Sequence, residues 1–147
     1  MRTKLTVGTA LAGMAMLLCQ SPVWAHHAFA AEFDGNKPVK FIDAVVTKVQ
    51  LINPHSWIYV DVKGADGKME NWAIEAGSPN ILMRRGITKD TVKVGQKIRV
   101  DGYQSKDGSR RANGRDLTLP DGTQLFLGGS GTGAPYEVQR PGVDTEK

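Results

Sequence analysis

The histidines of this 147-residue chain number three and fall in two short places, His26-His27 and the segment Asn53-Pro54-His55-Ser56-Trp57. If the chain begins at His26, that residue offers its free amine and its imidazole together, and the two can close a chelate ring on a metal ion. One further imidazole, from His27 or His55, completes a brace of three nitrogens. Such donors suit copper, nickel or zinc rather than calcium or magnesium, and the expected cofactor is copper(II). Ligation requires neutral groups. Amines ordinarily titrate at about 7.7–8.0 and imidazoles at about 6.5, so binding should weaken below about pH 6.5. Glu32 and Asp34 follow closely in sequence and could accept a hydrogen bond from a ligating imidazole, fixing its orientation.

A second candidate is a binding face. Strand alternation over residues 56–62 sets Trp57, Tyr59 and Asp61 on one side and Ile58, Val60 and Val62 on the other, the aliphatic side suiting a core. Trp57 and Tyr59 could then stack on a sugar or another planar group, with Asn71 and Glu75 of the next strand as hydrogen-bonding neighbours. His55 has the parity of Trp57, so an N-terminal segment covering this face would bring His26 or His27 beside it. Glu75 lies in the apolar stretch Trp72-Ala73-Ile74-Glu75-Ala76, where a half-buried carboxylate wants a partner, expected from Arg84, Arg85 or Arg99. No second acid, base or nucleophile is paired with it, so no catalytic residue is assigned and an enzyme is not expected. Asp66-Gly67, Asp107-Gly108 and Asp121-Gly122 read as hairpin turns, without the closely alternating oxygen ligands of a calcium loop.

The start at His26 depends on what precedes it. Arg2 and Lys4, an apolar run over residues 5–18 and the small residue Ala25 have the order of a secretory leader cut after residue 25. That run is shorter and more diluted than the roughly 20 apolar residues of a membrane span, so no span is expected after cleavage. The leader contains two basic and no acidic residues, so the formal charge of +4 falls to +2 on its removal. A field that weak does not point to nucleic acid. Cys19, the only cysteine, departs with the leader, leaving a periplasmic or secreted protein whose core forms without a disulfide.

Behind the N-terminal segment, residues 26–38, strand signals dominate residues 39–127. Residues 39–52 suit one long, bent strand, which Asn53-Pro54 interrupts because proline cannot donate to a ladder. Residues 56–62 and 69–76 form a hairpin across Asp66-Gly67. Ser78-Pro79-Asn80 opens a short helix that Gly86 closes, with Ser78 capping, Pro79 in the first turn, and Ile81, Leu82 and Met83 facing the core. Residues 97–103 and 112–119 are the fourth and fifth strands, and residues 123–127 a short extension of the fifth. Phe29 and Phe33, four apart, could pin a helical turn against the domain. Residues 128–147 are rich in glycine, proline and charge and are expected to be a disordered tail. The fold class is therefore all-β: an OB-like five-stranded barrel with one short helix between strands three and four.

His26-His27-Ala28-Phe29-Ala30-Ala31-Glu32-Phe33-Asp34, Asn53-Pro54-His55-Ser56-Trp57, Gly77-Ser78-Pro79-Asn80 and Arg84-Arg85-Gly86 together resemble a family of small exported bacterial proteins grouped as a domain of unknown function. The resemblance runs from about His26 to Gly128. It implies an exported OB-like domain and carries over no activity, ligand or catalytic residue. The expected function is a non-enzymatic periplasmic binding or interaction module, with copper(II) at the terminal histidines and an unidentified periplasmic ligand or protein as partner. The alternative is a carbohydrate or cell-envelope module using Trp57 and Tyr59. Intact-mass measurement of the exported protein should give a chain that starts at His26; a start at a residue other than histidine removes the amine chelate.

Overall fold

The computed structural model describes residues 28–129 and 133–138; the expected leader and His26-His27 lie outside the described residues. The elements in order are helix α1 (Ala28–Glu32), strands β1 (Phe33–Gln50), β2 (Ser56–Lys63) and β3 (Met69–Ala76), helix α2 (Pro79–Arg84), strands β4 (Lys97–Ser105), β5 (Arg111–Thr118) and β6 (Gln124–Phe126), and helix α3 (Pro135–Val138). The fold is mostly antiparallel β. Among the described residues no helix is long and apolar enough to cross a membrane.

β1 starts at Phe33 rather than Val39 and takes in much of the expected N-terminal segment. Its first part pairs with β4, from Phe33 opposite Ser105 to Val45 opposite Lys97, and its last part pairs with β2, from Val45 opposite Asp61 to Gln50 opposite Trp57. Register shifts at three places along these pairings let so long a strand bend. β2 and β3 pair in continuous register, Ser56 opposite Ala76 through Lys63 opposite Met69, and Gly67 takes the turn between them at φ 81°. β3 also pairs with β5 in parallel at Ala73–Arg111, Ile74–Ala112 and Glu75–Asn113. The pairings therefore run in a closed cycle, β1 to β2, β3, β5, β4 and back to β1. β6, expected as an extension, pairs with β5 as a sixth strand.

Alternation builds the core. Ile58, Val60 and Val62 of β2, Trp72, Ile74 and Ala76 of β3, Ile98 and Val100 of β4 and Ala112 and Leu117 of β5 are buried together with Leu82 of α2. Pro79 opens α2 and Gly86 ends it at φ 80°, both as expected. Ser78 has the extended conformation of a capping residue but its side chain makes no capping hydrogen bond. Met83 is exposed, against expectation: a helix this short turns only a narrow stripe inward, and Leu82 occupies it.

A second cluster is separate from this core. Phe29, Phe33, Tyr103, Ala134 and Tyr136 are buried together, with Phe126 packed against them. Phe29 lies 5.8 Å from Phe33 and meets Tyr103 edge-on at 5.6 Å, so the two phenylalanines do pin α1 against the sheet. Ala134 and Tyr136 come from the stretch expected to be a disordered tail. Tyr136 is 2% exposed and gives this part of the tail a buried ring that glycine and proline content conceals.

β4 and β5 approach closely where their register shifts between Asp101 and Gly102. A Cβ at Gly102 would collide with the carbonyl oxygen of Asn113. Gly102→Ala should therefore force the strands apart and lower stability by about 1–3 kcal/mol, measured by urea denaturation.

Candidate functional site

The outer face of the sheet, where β2, β3 and β5 meet, gathers most of the chain's unusual polar residues. Register sets Trp57 opposite Glu75, and Glu75 beside Asn113. An outward-facing carboxylate is ordinarily solvated, yet the side chain of Glu75 is only 8% exposed. His55, just before β2, supplies its partner: Nδ1 lies 2.6 Å from Glu75 Oε1. The expected partners Arg84, Arg85 and Arg99 do not fill this role. Arg85 instead donates to the carbonyls of Phe126 and Gly128 and lies over the Phe126 ring.

Arg111, at the start of β5, links this dyad to α1. Its Nη2 donates to Glu32 Oε2 at 2.7 Å, and its guanidinium lies 5.6 Å from the centre of the Trp57 ring. Asn113 is buried and accepts a hydrogen bond at Oδ1 from the Tyr136 hydroxyl at 3.0 Å. Helix α1 and the segment 133–138 thus both reach one polar patch, α1 through Glu32 and the segment through Tyr136. Burial raises the pKa of Glu75 from its ordinary value of 4.5; the nearby His55 opposes that rise, Glu32 adds to it and Arg111 opposes it.

The remaining candidates separate. Glu32 reaches the patch through Arg111 rather than by a direct bond to His55. Asp34 turns back on its own backbone and accepts from the Asn36 amide. Asn71 donates to Asp61 and Thr47, away from Glu75. Trp57 and Tyr59 have the expected outer parity and are half-buried, but cations lie over both: Arg111 over Trp57, and Lys48 at 5.2 Å over Tyr59. A stacking sugar would have to displace them. The groove of about 270 Å³ bordered by Pro38, Lys40, Asp101, Tyr103 and Arg115 carries charges that already have partners, Lys40 near Asp101 and Arg115 on Asp116.

Arg111, Asn113 and Tyr136 complete the patch and were not among the residues singled out from sequence. Alternation along β5 does put Arg111 and Asn113 on one side of Ala112, whereas no local signal marks Tyr136. Among the described residues no group of three or more His, Cys, Asp or Glu side chains could hold a metal ion. A metal at His55 therefore needs ligands from beyond them. His27 adjoins the first residue of α1, the helix whose last residue reaches Arg111.

The model of one protein family, Family of unknown function (DUF6152), matches residues 15–114, more than half of the chain. No curated protein and no solved structure matches it.

The raised Glu75 pKa fixes the sign of a pH effect. A carboxyl that holds its proton more tightly when folded contributes stability below pH 4.5, and that contribution is lost as pH rises through the folded value. Glutamine at this position keeps the neutral form at every pH. Urea titrations from about pH 4 to about pH 8 should show the native protein losing stability relative to Glu75→Gln as pH rises. A native protein that gains on the variant over that range would contradict the assignment.

Proposed function

We propose that this chain, which belongs to that family of unknown function, is an exported, non-enzymatic binding module that takes copper(II) at His55 and the terminal residues His26 and His27. The observation that carries the proposal is the bond between His55 Nδ1 and Glu75. A histidine held at one nitrogen by a buried carboxylate has a fixed ring and presents its second nitrogen for ligation, the arrangement that metal-binding histidines commonly use. The ring is 41% exposed, and its Nε2 has no hydrogen-bond partner among the described residues. The packing of Phe29 and Phe33 supports the rest, since it holds the start of α1 on the face that carries His55.

The scaffold we propose is OB-like. A closed cycle of five strands, a first strand that pairs at both ends, and one helix between β3 and β4 favour it, with β6 as an addition. That assignment says nothing of the ligand, which rests on the polar patch alone. Periplasmic or secreted location follows from the proposed cleavage after Ala25.

Calorimetry and electron paramagnetic resonance with copper(II) should compare the protein starting at His26 with the same chain acetylated at its N-terminal amine, and with His55→Ala and Glu75→Gln. The acetylated chain and His55→Ala should each bind at least about tenfold more weakly, as expected when a ligand is lost. Glu75→Gln should bind about 10- to 100-fold more weakly through loss of ring orientation. Equal binding by the native and acetylated chains, or none by either, would sink the brace.

A further inference from the structure

We infer that the C-terminal segment, residues 133–138, is a strap that holds helix α1 on the sheet and so governs whether the N-terminal end of the chain can reach His55. The holding action stands on packing alone; its consequence for a metal rests on the copper site proposed above.

α1 has five residues, too few to persist as an isolated helix in water. Its attachment is through the buried Phe29, the adjoining Phe33, the Glu32–Arg111 ion pair and two hydrogen bonds from Lys106, its amide to the Glu32 carbonyl and its ammonium to the Ala30 carbonyl. The ion pair is exposed and contributes little. The aromatic contacts supply the buried apolar part of the attachment, and they are shared with residues 133–138. Tyr103, which Phe29 meets edge-on, stacks on Tyr136 at 6.4 Å. Tyr136 in turn meets Phe126 edge-on at 5.3 Å. Pro135 crosses the start of β1 so closely that a Cβ at Gly35 would stand 3.0 Å from its Cγ.

Two further details fix the strap in one position. The Tyr136 hydroxyl donates to buried Asn113, the residue in register with Glu75, so the ring is anchored by direction as well as by area. A Cβ at Gly128 would stand 2.6 Å from both the Tyr136 and Phe126 rings, so the chain passes beneath them only as glycine. The main core contains neither Phe29 nor Tyr136. Loss of the strap should therefore free α1 while leaving the cycle of strands folded, because the aromatic cluster is a separate cooperative unit.

The test uses the exported protein, a variant ending after residue 129, Tyr136→Ala and Tyr136→Phe. Hydrogen exchange read by mass spectrometry should show protection of residues 28–36 falling about tenfold or more in the first two variants, with protection of β2 and β3 retained. Tyr136→Phe, which keeps the ring, should fall much less. Copper(II) titration of the same proteins should show weaker binding wherever α1 loses protection. Unchanged protection of residues 28–36 in Tyr136→Ala and in the shortened chain overturns the strap, whatever copper does. Lost protection with unchanged copper affinity upholds the strap and overturns the copper site at the docked terminus. If the shortened chain fails to fold, Tyr136→Ala decides.

Discussion

The double pairing of β1 is the constraint on which the rest depends. Val45 stands opposite Asp61 on one side and Lys97 on the other, so one strand serves two neighbours and the sheet can curl until β3 meets β5. Only that meeting brings Glu75 beside Asn113 and puts Arg111 within reach of Trp57. The residues of the polar patch come from four parts of the chain. Their proximity is therefore a property of closure and not of any local motif.

Closure also explains why one outer face is partly dry. Tyr103 and Asn113 lie opposite each other on β4 and β5, and both are buried although they point away from the main core. Their cover comes from α1 and residues 133–138, whose Phe29 and Tyr136 are buried in the same cluster. Glu75 lies at the margin of that cover. A buried carboxylate whose charged form is disfavoured by desolvation is a poor choice for stability, and an apolar residue of similar volume would often serve as well.

Alternation in residues 56–62 is sufficient to separate Trp57 and Tyr59 from Ile58 and Val60, because one face of β2 is buried and parity then has a single solution. The hairpin at Gly67, the helix ends at Pro79 and Gly86, and the docking of Phe29 are legible for similar local reasons. The early start of β1 is not, since Asp34, Gly35, Asn36 and Pro38 carry turn chemistry, which the strand absorbs in the irregular stretch between Phe33 opposite Ser105 and Pro38 opposite Tyr103. Nor is the partner of Glu75. Arg85 looks suitable by charge, but α2 aims it at the carbonyls of Phe126 and Gly128, and only tertiary pairing brings His55 and Arg111 to the carboxylate. Composition conceals Tyr136, because a single ring surrounded by glycine and proline docks through neighbours far away in sequence.

The two tryptophans among the described residues sit in different surroundings. Trp72 is buried, tilted against Phe41 at 4.9 Å, and donates its indole N–H to Glu70. Trp57 is half-buried beneath a guanidinium that is itself tied to α1. Their emission should therefore differ in colour and in access to quenchers. The described residues contain their own optical probes, Trp72 following the integrity of the main core and Trp57 the attachment of α1.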